Sequence, residues 1–229
     1  MSLVRNPIIF ALDVDSKSEA LQHFNKVSDV IGAVKLGPRL IYKYGADLIK
    51  EMSEKAPVFV DNKYFDIPST MVSAVKASFD AGATLVTVHA MAGSEALSEL
   101  AQLEAELNKI RPFRILAVTI LTSWTESSMP HNLQSWPVDQ HVRSLAELTY
   151  QSGLRGLVCS GHELKNLKDL NFFKVTPGIR LATDVLGDQK RAMTPKQALQ
   201  EGASALVIGR PILQSSDPQA FVQNILNGV

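Results

Sequence analysis

The sequence has one cysteine and no surplus charge of either sign. Cys159 cannot pair within the chain, and the apolar stretch Leu157-Val158-Cys159 suits a small buried hydrophobe, so no disulfide framework is expected. Lys and Arg total 23 and so do Asp and Glu, which leaves no basic excess for a nucleic-acid backbone and no polybasic patch for a membrane surface. An anionic ligand must therefore be gripped by local groups. Met1-Ser2-Leu3-Val4-Arg5 turns polar too soon for a signal peptide or a spanning helix, and a cytoplasmic enzyme is the expectation. Neither H-E-x-x-H nor a zinc-like Cys/His spacing occurs.

What is present is a regular alternation. Short apolar or β-branched runs recur at Ile8–Asp13, Ala33–Leu36, Val58–Lys63, Leu85–His89, Ile115–Leu121, Gly156–Ser160, Lys174–Pro177 and Ala205–Gly209. Each precedes a stretch with helical spacing: Glu19–Val27, Arg39–Glu54, Ser69–Ala81, Ser94–Asn108, Val138–Ser152, Glu163–Asp169, Pro195–Glu201 and Pro218–Asn227. Gly82, Gly153 and Gly202 follow three of these as stop signals. Eight βα units in 229 residues predict an α/β fold, a single-domain (β/α)8 TIM barrel over residues 1–229, with a doubly wound open sheet as the alternative. In a barrel, Asp13, Lys35, Asp61, Lys63, His89, Thr122, Ser123, Arg180 and Arg210 would lie at the C-terminal rim, where active sites assemble. The long segments Ser123–Pro137 and Leu181–Thr194 leave the same rim and are candidate lids.

Val58-Phe59-Val60-Asp61-Asn62-Lys63-Tyr64-Phe65-Asp66 carries the most chemistry. Strand alternation points Asp61 and Lys63 the same way, toward the barrel axis. Lys35 interrupts the apolar Ala33-Val34-Lys35-Leu36 and needs a partner. An array alternating Lys35, Asp61, Lys63 and Asp66 would balance each charge against its neighbour while leaving a fixed field at its centre. That field suits carbanion chemistry: a substrate carboxylate beside Asp61 is repelled, and negative charge developing on the adjacent carbon is drawn to Lys63, which can protonate it. A plain ion-pair network is the bland alternative. Asp13, Asp61 and His89 also offer ligands for Mg2+, and His89 alone reads equally as a satisfied rim histidine.

Two Gly/Arg turns follow the seventh and eighth strands, Pro177-Gly178-Ile179-Arg180 and Gly209-Arg210-Pro211. Glycine lets an anion approach backbone N–H groups, arginine offers a donor fork, and barrels commonly bind phosphate at these two loops. Gln189 lies on the intervening loop, where it can close over the phosphate.

Taken together, Phe10-Ala11-Leu12-Asp13, Val34-Lys35-Leu36-Gly37, Asp61-Asn62-Lys63-Tyr64-Phe65-Asp66-Ile67-Pro68, Thr119-Ile120-Leu121-Thr122-Ser123, Thr176-Pro177-Gly178-Ile179-Arg180, Gly187-Asp188-Gln189 and Ile208-Gly209-Arg210-Pro211 resemble the bacterial orotidine 5'-monophosphate decarboxylases from end to end. The resemblance implies conversion of orotidine 5'-monophosphate to UMP and CO2 in pyrimidine nucleotide synthesis, with no metal or organic cofactor. It also implies a homodimer with shared active sites, in which Lys35, Asp61 and Lys63 come from one subunit and Asp66, Ile67 and Thr70 from the other. On the same basis Lys63 is the proton donor and Asp61 the carboxylate beside the leaving CO2, while Asp13 and Lys35 contact the ribose. Thr122 and Ser123 then meet the pyrimidine, and Pro177, Arg180, Gln189, Gly209 and Arg210 form the phosphate end. Asn62, Tyr64 and Phe65 depart from many relatives, which touches local packing and the dimer contact rather than the chemistry. The D-x-K-x-x-D motif is shared with Mg2+-dependent sugar-phosphate decarboxylases and aldolases of the same superfamily, but these generally carry an acidic residue where Lys35 stands. A non-catalytic nucleotide-binding barrel is the remaining alternative.

Overall fold

The computed structural model describes residues 3–179 and 193–229. Among them eight parallel strands close into a barrel in sequence order: β1 (Ile8–Ala11), β2 (Ala33–Leu36), β3 (Val58–Tyr64), β4 (Ala83–His89), β5 (Arg114–Val118), β6 (Gly156–Val158), β7 (Phe173–Thr176) and β8 (Ala205–Ile208), with β8 pairing β1. The open-sheet alternative is thereby excluded.

Side chains alternate along each strand, so one face fills the barrel and the other meets the helices. Val4, Ile9, Ala33, Phe59, Leu85, Leu116, Val175 and Ala205 form an apolar cluster of their own inside the barrel, while Ile8, Phe10, Val34, Val58, Val60, Val86 and Ile115 belong to the larger core outside it. Two residues beyond Ala33, Phe59 and Leu85, on the same faces, come Lys35, Asp61 and Thr87. The apolar layer is the floor of the site and the polar residues stand on it.

The helices are α1 (Lys17–Val27), α2 (Pro38–Ser53), α3 (Pro68–Asp80), α4 (Gly93–Leu107), α5 (Val138–Gln151), α6 (Pro195–Gln200), α7 (Arg210–Leu213) and α8 (Pro218–Asn227). Ser16 caps α1 by accepting the Glu19 N–H at 3.2 Å, and Asp217 caps α8 through Ala220 N–H at 2.9 Å. Pro38 and Pro68 start α2 and α3, where a missing N–H costs nothing. The expected stops at Gly82 and Gly153 hold, with φ of 117° and 100°.

Several boundaries differ from the sequence reading. β5 ends at Val118 rather than Leu121, because its neighbour β6 ends at Val158 and the ladder has no further partner. The expected helix over Glu163–Asp169 is a tighter 3-10 helix, Gly161–Leu167, entered where Glu163 accepts the Ser160 N–H at 2.8 Å. The helix read as Arg39–Glu54 is broken at Gly45, whose φ of 53° lies outside helical space. Helix α7, directly after β8, was hidden by its length and by Pro211. Among the described residues no helix is long and apolar enough to cross a membrane.

Candidate active site

A cavity of about 540 Å3 opens at the C-terminal ends of the strands. Its charged side is lined by Asp13, Lys35, Asp61 and Lys63 with Arg39 at the rim, and the facing wall is apolar, with Val118, Ile120 and Leu121. Pro177, Gly178, Gly209 and Arg210 line a third side beside Val175 and Val207, and Thr122 borders the space from the loop after β5.

The charges alternate in space. Lys35 Nζ lies 3.2 Å from Asp13 Oδ1 and 3.5 Å from Asp61 Oδ2, and Lys63 Nζ lies 2.9 Å from Asp61 Oδ1. Each of the four comes from the end of a different strand or from the same strand two residues apart: β1, β2 and β3. Asp61 and Lys35 are withdrawn from water, with side chains 15% and 11% exposed, whereas Asp13 at 53% faces the mouth. Burial pushes the Asp61 carboxyl upward, but the ammonium groups of Lys35 and Lys63, together with hydrogen bonds from Lys63 and Thr87, reverse the balance and hold it below the ordinary carboxylate range. Asp61 is therefore an ionised carboxylate fixed in a partly dry pocket.

The route to this geometry is less regular than simple alternation. Pairing between β3 and β4 shifts register between Val60 and Tyr64, and Lys63 has a φ of 49°, the one positive value among non-glycine residues described. Asp61 and Lys63 still meet on one side, as expected. Asn62 faces away and donates to the Tyr64 hydroxyl at 3.1 Å, which is 3.0 Å from Ser78 Oγ on α3. Two of the residues that depart from the family pattern thus tie β3 to its following helix.

Asp66 is not brought to the array by its own chain. It is exposed, lies outside the cavity lining and accepts the Ile67 N–H at 2.7 Å. Thr70 is exposed too, and Phe65 and Ile67 are 62% and 64% exposed, so an apolar edge flanks Asp66. Ser123 is exposed and does not line the cavity. Arg180 and Gln189 lie outside the described residues, as does nearly all of the candidate lid Leu181–Thr194.

His89 caps the turn after β4 by accepting the Met91 N–H on Nδ1 at 3.3 Å, which leaves Nε2 to carry the proton of a neutral ring. Burial lowers its pKa and the nearby Lys63 charge lowers it further. Among the described residues no three His, Cys, Asp or Glu side chains converge as metal ligands, so the Mg2+ arrangement of Asp13, Asp61 and His89 is not assembled.

Two residues went unnoticed in the sequence. Arg39 reads as an ordinary helix-start residue but lines the cavity and lies 3.5 Å from Asp15. Thr87 reads as a β-branched strand former, yet its hydroxyl donates to Asp61 Oδ1 at 3.0 Å. The signal for Thr87 was its alternation with Leu85, which sets it on the inner face beside Asp61.

The family model for OMPdecase, described as the orotidine 5'-phosphate decarboxylase / HUMPS family, matches residues 6–225. The chain is 39% identical over 228 residues to the orotidine 5'-phosphate decarboxylase of Shewanella sediminis, covering 96% of this chain and 95% of that protein. It is 38% identical over 228 residues to that of Vibrio parahaemolyticus, covering 97% of each. A crystal structure of orotidine 5'-phosphate decarboxylase from Lactobacillus acidophilus superposes with a TM-score of 0.84 at 34% identity, covering 97% of this chain and 98% of the other.

Proposed function

The chain belongs to the orotidine 5'-phosphate decarboxylase / HUMPS family, and from that premise we propose that it converts orotidine 5'-monophosphate to UMP and CO2 without a metal or organic cofactor. The observation that carries this reading is the alternating Asp13, Lys35, Asp61, Lys63 array at the mouth of a closed barrel. Lys35 separates it from the sugar-phosphate enzymes of the superfamily, because a cation there compensates Asp61 where an acidic residue would add to a metal site.

The substrate carboxylate sits against ionised Asp61, with the pyrimidine C6 next to Lys63. The bond between C6 and the carboxylate breaks, its electron pair stays on C6, and CO2 leaves. The Lys63 ammonium delivers a proton to C6, which gives UMP and a neutral amine that regains its proton from solvent. Because the C6 carbanion is poorly delocalised, the barrier must fall by an amount toward the upper end of roughly 8–23 kcal/mol. A preorganised field in a dry site supplies stabilisation that water cannot, and it needs no reorganisation as charge develops. Asp13 and Lys35 hold the ribose hydroxyls, and Thr122 with Ser123 meets the base. Gly178, Gly209 and Arg210 receive the phosphate alongside Pro177, with Arg180 and Gln189 assigned to the same end. Binding energy from that remote group holds the ring against the charges.

Asp66, Ile67 and Thr70 complete the site of a second copy in a homodimer. What supports this is their position: they leave the barrel beside Lys63, turn outward and expose apolar Phe65 and Ile67 next to a carboxylate that their own cavity does not use. The whole chain acts as one cytoplasmic catalytic domain.

The test is decarboxylation of orotidine 5'-monophosphate by protein purified in EDTA, followed as loss of the substrate's ultraviolet absorbance. Turnover that survives chelation is expected. Strict Mg2+ dependence would favour a sugar-phosphate enzyme, and nucleotide binding without turnover would favour a binding protein.

A further inference from the structure

Building on the decarboxylase reading of this site, we propose that Thr87 is a positioning residue that fixes Asp61 and Lys63 relative to one another for the proton transfer. Thr87 is fully buried on the inner face of β4. A hydroxyl carries one proton and two lone pairs. Here the proton goes to Asp61 Oδ1 at 3.0 Å, and a lone pair accepts the Lys63 backbone N–H at 2.9 Å. One side chain thereby binds the carboxylate of the first residue and the backbone of the second.

The need for such a clamp follows from the break in the ladder. Between Val60 and Tyr64 the register of β3 against β4 shifts, so Lys63 N–H takes its partner from a side chain and not from a ladder carbonyl. Lys63 also holds a left-handed backbone, which is unfavourable for a non-glycine residue and persists only where neighbours impose it. Thr87 is such a neighbour. The two ammonium groups attract the Asp61 carboxylate, and Thr87 adds a directional hydrogen bond from the β4 side. With Oδ1 shared by Lys63 and Thr87 and Oδ2 facing Lys35, it is held from three directions. Valine has the same shape and an equal or greater preference for strands, so a residue present only to form β4 would tolerate that change.

The experiment compares wild type, Thr87→Val and Thr87→Ser as full-length protein, measuring kcat and KM for orotidine 5'-monophosphate, Kd for UMP, and Tm. Loss of a hydrogen bond to a charged group predicts a fall in kcat of about 10- to 100-fold for the valine variant. KM and UMP affinity should stay within about threefold, since the phosphate and ribose contacts are untouched, and serine should restore most of kcat. If the valine variant does not fold, Thr87→Ala is expected to show the same split. A valine or alanine variant that folds and keeps wild-type kcat overturns the proposal. So does a parallel loss of kcat, UMP binding and Tm that serine does not repair, which would mark a merely structural role. Wild-type protein that binds UMP but never decarboxylates would instead overturn the reading on which the proposal rests.

Discussion

Lys63 Nζ donates to Asp61 Oδ1 at 2.9 Å across a stretch of strand whose backbone is left-handed at Lys63 itself. An extended strand sets side chains i and i+2 side by side but apart. Here the two are in contact while the Lys63 side chain stays 38% exposed and lines the cavity, so the ammonium is both neutralised and able to reach a ligand.

Removing either partner should therefore be costly in kcat. Lys63→Ala deletes the proposed proton donor, and a fall of at least about 10²–10⁴-fold is expected. Asp61→Asn keeps the shape but leaves Lys35 and Lys63 without their shared counter-charge, and a loss of at least about 10²-fold is expected. Single-turnover measurement with bound substrate separates these losses from any change in affinity. Turnover of the Lys63→Ala variant at the wild-type rate would assign the proton to another group.

His89 offers a spectroscopic handle on the same charge. Its folded pKa is lowered from 6.5, by burial first and by Lys63 second. Protonation is thus harder in the folded than in the unfolded chain, and the stability His89 contributes is present above about 6.5 and is lost as pH falls below that value. In a carbon-detected NMR titration its ring should be more than half neutral at pH 6.5. In Lys63→Ala the midpoint should rise partway toward 6.5 and stop short, since burial remains; an unchanged midpoint would show that the Lys63 charge does not reach the ring.

The proposed shared site predicts complementation. Lys63→Ala and Asp66→Ala chains, each inactive alone, should recover up to about a quarter of wild-type activity when co-folded, because half of randomly paired dimers are hybrids and each hybrid holds one intact site of two. Co-purification of two differently tagged chains establishes that hybrids form. Hybrids with no activity would place Asp66 outside the partner's site.

Much of this was legible in the sequence because barrels write themselves as periodicity. Apolar runs such as Ile8-Ile9-Phe10-Ala11 announce buried parallel strands, and a lysine within Ala33-Val34-Lys35-Leu36 announces a site. Strand ends were less legible, since β5 stops where β6 stops, a fact of pairing that Ile115–Leu121 alone does not contain. Thr87 escaped because an uncharged β-branched residue in a strand needs no special explanation until its neighbour across the ladder is known. Asp66 was legible as a carboxylate near Lys63 in sequence, but the turn at Ile67-Pro68 carries it outward, and its distance from the array is a matter of tertiary direction.

Stability should respond sharply to a change far from the cavity, at Glu104. This carboxylate lies in the core side of α4, where Oε2 accepts the Ile115 N–H at 2.5 Å and Oε1 pairs with Arg114 at 2.7 Å. Burial raises its pKa, with Arg114 and the Ile115 N–H opposing. An acid whose folded pKa is raised is easier to ionise in the unfolded chain, so its ionisation costs stability as pH climbs from the unfolded value near 4.5 through the folded one. Glu104→Gln removes that slope yet keeps an acceptor for Ile115. Glu104→Ala strands the Ile115 N–H and leaves the half-buried Arg114 unpaired, which should cost about 2–4 kcal/mol. For a chain of this size that lowers Tm by roughly 5–15 °C, with the glutamine variant falling less. Calorimetry at pH 7, beside kcat measured well below Tm, checks the point: kcat should be unchanged in both variants, and an alanine variant that melts with wild type would mean the Glu104 contacts contribute nothing to holding α4 against β5.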